Sequence, residues 1–77
     1  MDKIISVFPK NKFQEVRVCI REFKGNDLVD IRIWTQSPGT SEMVATAKGV
    51  AINVQLLPQL LKSLPAVEKE LKENRMT

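Results

Sequence analysis

Two runs of alternating residues on either side of a four-residue turn signal limit what this chain can become more than any other feature. From Phe13 to Phe23, Val16, Val18 and Ile20 alternate with Arg17, Cys19 and Arg21; from Leu28 to Thr35, Val29, Ile31 and Ile33 alternate with Asp30, Arg32 and Trp34. A period of two is the mark of a strand with one buried face. Lys24-Gly25-Asn26-Asp27 lies between them, and Gly-Asn at its centre supplies the φ > 0 residues that a tight hairpin needs. Centring the turn on Gly25 and Asn26 predicts Phe23 opposite Leu28, Arg21 opposite Asp30, Cys19 opposite Arg32 and Arg17 opposite Trp34. These eight residues share one face. Val16, Val18, Ile20, Val29, Ile31 and Ile33 form the other, an apolar surface that a helix or a second subunit has to cover.

The rest of the chain completes an α+β domain that spans residues 1–77. Ser37-Pro38-Gly39-Thr40 reads as a turn, and Met43 to Thr46 and Val50 to Ile52 supply two more short strands around Lys48-Gly49. The sheet is therefore expected over residues 13–53, with 1–12 as an N-terminal extension. After Asn53, a plausible N-cap, Leu56, Leu57, Leu60, Leu61, Leu64, Val67 and Leu71 recur at helical spacing, making 54–77 a helical dimerisation segment. Pro58 delays the regular helix by a residue or two, and Pro65 is expected to kink or break it.

A chain of 77 residues buries only about 60% of the surface its unfolded form exposes, so a lone core is marginal and needs a supplement. Cys19 is the one cysteine and there is no histidine, which rules out an internal disulfide and leaves a zinc site almost without ligands. A homodimer is the expected remedy. No run approaches a membrane span or a secretory h-region, so a soluble intracellular protein is expected.

The same lack of histidine removes the commonest general base, and Glu68, Glu70 and Glu73 alternate with Lys69 and Lys72 as on a solvated helix face. The expectation is a binding protein and not an enzyme, with no cofactor, metal or small-molecule substrate. The net charge of +3, from 12 basic and 9 acidic side chains, is too mild to point to nucleic acid by itself. What matters is its placement. Single strands are held by cations that track phosphates together with flat side chains on which unpaired bases stack. The polar hairpin face carries Arg17, Arg21 and Arg32, with Lys24 at the turn, and offers Phe23 and Trp34 as rings. Alternating arginines are equally the wet face of an ordinary amphipathic sheet, and Trp34 could fill a subunit interface. Phe23 has no such account, because it stands beside Arg21 and Lys24 on the side away from the valines.

Three segments, in order, resemble the positive cofactor 4 family of single-stranded-DNA-binding transcriptional coactivators. They are Val18-Cys19-Ile20-Arg21-Glu22-Phe23-Lys24-Gly25, Val29-Asp30-Ile31-Arg32-Ile33-Trp34, and Lys48-Gly49-Val50-Ala51-Ile52-Asn53. The likeness runs from about Phe13 to Leu64. It implies a four-stranded twisted antiparallel sheet followed by a helix, paired as a homodimer whose sheets present grooves for unpaired DNA. It carries over Arg21, Phe23, Lys24, Arg32, Trp34 and Lys48 as contact residues, Lys48 on the resemblance only. The tryptophan stands two residues after the arginine, as in bacterial-type relatives, and no long serine-rich arm precedes the sheet. A bacterial or phage-type protein is expected, cytoplasmic and nucleoid-associated, or nuclear if its host is eukaryotic. Its role would lie in transcription regulation, replication or repair. The alternatives are a module that recruits a transcription or replication factor, and an RNA-binding protein.

Overall fold

In a computed structural model that describes residues 2–74, the chain forms one antiparallel sheet whose strands follow chain order. These are β1 (Lys3–Pro9), β2 (Gln14–Phe23), β3 (Asn26–Gln36) and β4 (Met43–Asn53). A single 3-10 turn (Val54–Leu56) then leads into the helix α1 (Leu57–Glu73). The strand count agrees with the sequence reading, but its composition differs. The segment read as an N-terminal extension supplies β1, and the two short strands expected around Lys48-Gly49 are one strand, β4. Both differences come from bulges. Ile5 is an extra residue between the Ile4↔Cys19 and Ser6↔Val18 pairs, and it breaks the alternation that would have marked β1. In β4, residues 46–48 loop out between the Arg32↔Gly49 and Trp34↔Ala45 pairs, which splits one strand into two apparent ones.

The β2–β3 hairpin turns on Lys24 (φ 52°) and Gly25 (φ 80°), not on Gly25 and Asn26. Phe23 therefore pairs with Asn26, Arg21 with Leu28, Cys19 with Asp30, Arg17 with Arg32, and Glu15 with Trp34. The observed register places branched residue against branched residue, as Val16↔Ile33, Val18↔Ile31 and Ile20↔Val29, whereas the expected one would have set Glu22 against Val29. The slip is two residues, so every side chain keeps its face.

Asn53 caps the 3-10 turn as expected, its side chain accepting from the Gln55 N–H at 2.9 Å. Pro58 falls in the first turn of α1, where its missing N–H costs nothing. The helix then runs unbroken through Pro65. The bond that Pro65 cannot make is to the carbonyl of Leu61, a residue standing in solvent, so water can take its place.

This chain does not enclose a core of its own. Among the described residues only Cys19 and Val29 are buried hydrophobics, and no residue of α1 is buried. The radius of gyration is 14.8 Å, against about 11.5 Å for a compact chain of this length. The accessible surface is 6197 Å², against about 4,700 Å² for a compact monomer of this mass. Leu61, Leu64 and Val67 stand more than half exposed on one stripe of α1. Among the described residues no helix is long and apolar enough to cross a membrane.

Candidate nucleic-acid interface

Strand parity and register place Glu15, Arg17, Cys19, Arg21 and Phe23 of β2 on one face with Leu28, Asp30, Arg32 and Trp34 of β3. Ile4 and Val7 of β1 extend that face on one side, and Ala45, Gly49 and Ala51 of β4 extend it on the other. Two shallow depressions cross it, with Arg21 in the wall of both. The first is bounded by Phe23, Leu28, Asp30, Arg32 and Ala51. The second lies between the start of β1 (Lys3 and Ile4) and Cys19, Trp34 and Ala45. The two rings thus stand at opposite ends of a groove on one side of the hairpin. The part that β1 plays as a wall is not legible in the sequence, because the extra residue at Ile5 breaks its alternation.

The cations on this face are not equivalent. Arg32 is fully engaged: Asp30 accepts from its Nε at 3.2 Å and from its Nη2 at 2.9 Å, and the Thr46 carbonyl accepts from Nη1 at 3.0 Å. The hydrogen bonds it donates to Asp30, reinforced by the carboxylate's charge, raise the Arg32 guanidinium above the ordinary arginine value. Asp30 is 2% exposed, and such a carboxylate stays in place only when it is paired. Arg32 therefore serves this face as a strut that fixes the bulge of β4. Close strand approach is needed at the same point, since a Cβ on Gly49 would lie 2.5 Å from the Ile31 carbonyl oxygen and 2.7 Å from Arg32 Cα. The sequence reading paired Asp30 with Arg21. That pair is present, with Arg21 Nη1 3.8 Å from the carboxylate on the diagonal, while Arg32, two residues along the same strand, lies closer at 2.9 Å.

Arg17 is engaged differently. It is ion-paired with Glu15, and its guanidinium carbon lies 4.1 Å from the centre of the Trp34 ring, a cation–π stack. One side of that ring is therefore covered, and its Nε1–H is buried without a hydrogen-bond partner. At the other end Phe23 is open, 60% exposed, with the Lys24 ammonium 5.3 Å from its centre. The Arg21 side chain is 53% exposed. Lys48 stands apart from the groove, in the β4 bulge, where it lines a cleft on the apolar side with Val16, Ile31, Ile33 and Val50. Glu15 escaped the sequence reading, although the signal was present: Glu15-x-Arg17 and Asp30-x-Arg32 both set an acid two residues from an arginine, on one face of one strand.

With Glu15 and Asp30 offsetting two of four cations, the face keeps a net charge of about +2 and one freely open ring. A surface of this kind suits an anionic chain carrying flat rings, with modest charge attraction and a ring open to stacking. Among the described residues no cluster of three acidic, cysteine or histidine side chains is placed to hold a metal ion.

An open antiparallel sheet of four strands with an arginine-rich, aromatic outer face and a trailing amphipathic helix is the architecture of a small class of transcriptional coactivator domains. Residues 10–63 match the family described as Transcriptional Coactivator p15 (PC4), and the chain belongs to that family. It is 35% identical over 57 residues to the RNA polymerase II transcriptional coactivator KELP of Arabidopsis thaliana, covering 74% of this chain but only 33% of that protein. Among solved structures, a PC4 homologue from Burkholderia pseudomallei superposes with a TM-score of 0.80 at 28% identity, covering 90% of this chain and 92% of that one. MoSub1, solved as a complex with DNA, superposes at 0.63 and 26% identity, over 90% of this chain and 83% of that one. A bacteriophage T5 homologue of PC4 shares the fold, with a TM-score of 0.67 at 24% identity over 96% of this chain and 81% of that one.

Proposed function

We propose that the protein binds single-stranded DNA, with little sequence preference, along the outer face of the β2–β3 hairpin, and does so as a homodimer. The observation that carries this reading is Phe23, a large ring held in solvent between Arg21 and Lys24 on the side of the sheet away from the branched residues. The MoSub1–DNA complex supports the choice of DNA as ligand. The rings favour unpaired over paired strands, because a duplex keeps its base faces stacked inside. Arg17, Arg21, Phe23, Lys24 and Trp34 are the contact residues, Arg32 holds them in place, and Lys48, on the apolar side of the bulge, lies outside the contact surface.

The homodimer is supported by the surplus of roughly 1,500 Å² of surface over a compact monomer, and by the leucine stripe of α1, which has little contact with its own sheet. Those leucines would serve equally well to recruit a transcription or replication factor, and in the homodimer the partner subunit covers them. The protein would act where strands are exposed, in transcription, replication or repair, at the nucleoid or in the nucleus.

Filter binding with labelled oligo-dT, its duplex and the matching RNA tests the reading. Oligo-dT should bind more tightly than duplex, with affinity falling as salt rises. Equal weak binding to all three would contradict it, and preference for the RNA would move the assignment to RNA.

A further inference from the structure

Glu15 occupies a place that the proposed function does not use. It lies directly across from Trp34 on β3 and from Pro9 on β1, and its carboxylate binds Arg17 on the groove side of the sheet. Both side chains are mostly shielded, 23% exposed for Glu15 and 18% for Arg17, so water screens the pair less than it would a surface pair. Arg17 in turn lies 4.1 Å from the Trp34 ring centre. The three form a chain in which the acid holds the cation and the cation covers the ring.

From this geometry we infer that Glu15 is an internal competitor for the DNA phosphate at Arg17, setting the affinity of the groove by occupying the guanidinium that a strand would use. The inference rests on the single-strand reading above. A phosphate reaching Arg17 must displace a carboxylate already in place. The guanidinium can stay over the indole while it changes partner, since stacking uses its plane and the ion pair uses its edge. Binding at this end of the groove is thus an exchange of anions on one preoriented cation. At the Phe23 end, where the ring is open and the Lys24 ammonium lies 5.3 Å from its centre, binding is simple addition. Glu15 is a positioning residue: it sets how readily Arg17 can be taken, and touches neither base nor phosphate itself.

The test compares Glu15→Gln, Arg17→Ala and the double variant with the unaltered protein, using fluorescence anisotropy of labelled oligo-dT over a salt series. Glutamine keeps the shape and removes the charge, so E15Q should bind oligo-dT more tightly, by about fivefold at low salt. Its plot of log affinity against log salt should steepen by up to about 0.7, because no displaced carboxylate then takes up a cation to offset the one the phosphate releases. The double variant should lose both changes. Unaltered affinity and slope in E15Q, or a gain that survives in the double variant, would overturn the inference. Failure of the unaltered protein to bind oligo-dT would instead remove the single-strand reading on which it stands.

A second arm needs no DNA. Trp34 is the only tryptophan, so acrylamide quenching of intrinsic fluorescence reports how well the ring is covered. Quenching should rise in E15Q and further in R17A. Equal quenching in all three proteins would overturn the part played by Glu15, whatever the DNA result.

Discussion

Asp30, almost wholly buried, and Arg32, two residues further along the same strand face, are joined through two guanidinium nitrogens, and the third reaches across to the Thr46 carbonyl. One side chain thereby ties the middle of β3 to the bulge of β4. It also sets the arginines of this face apart: the Arg32 side chain is 19% exposed and held by Asp30 and Thr46, whereas that of Arg21 is 53% exposed, with the Asp30 carboxylate 3.8 Å away.

Arg32→Ala should accordingly lower the thermal midpoint more than Arg21→Ala does, because it leaves the buried Asp30 carboxylate without its main partner. Arg21→Ala should keep the midpoint and make the salt dependence of oligo-dT binding shallower by about 0.7. The reverse pattern would exchange their roles. A raised folded-state value at Arg32 contributes stability below the unfolded value, lost only as pH climbs through the folded one, far into the alkaline range. With no histidine in the chain, the midpoint should hold steady between about pH 6 and 8.

Gly49→Ala should destabilise the protein by about 1–3 kcal/mol, because the added methyl would press on the backbone of Ile31 and Arg32 and the strands would have to part. Urea denaturation measures it. A variant as stable as the parent would show that β4 does not approach β3 this closely.

Phe23→Ala should weaken oligo-dT binding by about 1–3 kcal/mol while leaving the unfolding midpoint unchanged, since the ring is open to solvent. Trp34→Ala should weaken it less, because Arg17 already covers one side of that ring. Anisotropy titrations of the two variants at one salt concentration decide the order. Loss of fold in the Phe23 variant would assign that ring to packing.

Leu64→Glu, placing a charge in the middle of the exposed stripe of α1, should convert a dimer to a monomer in sedimentation equilibrium, because a carboxylate buried at an apolar interface without a partner is costly. A species of unchanged mass would mean that the stripe faces something other than a second copy.

The sequence revealed the two faces of the hairpin, because alternation survives any even error of register: misplacing the turn by one position changed every pair between Phe23 and Gln14 but moved no side chain through the sheet. The helix and its Asn53 cap were legible for a similar reason, as each rests on local spacing. What could not be read was the consequence of extra residues within a strand. Ile5 hides β1 by putting apolar side chains at neighbouring positions, and the residues bulged at 46–48 hide the continuity of β4. Alternation placed Arg32 on the outer face, where it stands, but alternation reports which way a side chain leaves the strand and not what it then meets, so its bonds to Asp30 and Thr46 could not be read. Lys48 had no pattern of its own, and the bulge carries it to the apolar side.

Ultraviolet cross-linking of oligo-dT to the protein, followed by mass-spectrometric mapping of the modified residues, bears most directly on the whole account. Adducts on Phe23 and Trp34, with the helix clean, are what the shared outer face predicts. Adducts confined to α1, or to the side of Val18 and Ile31, would place the strand on the wrong surface and contradict it.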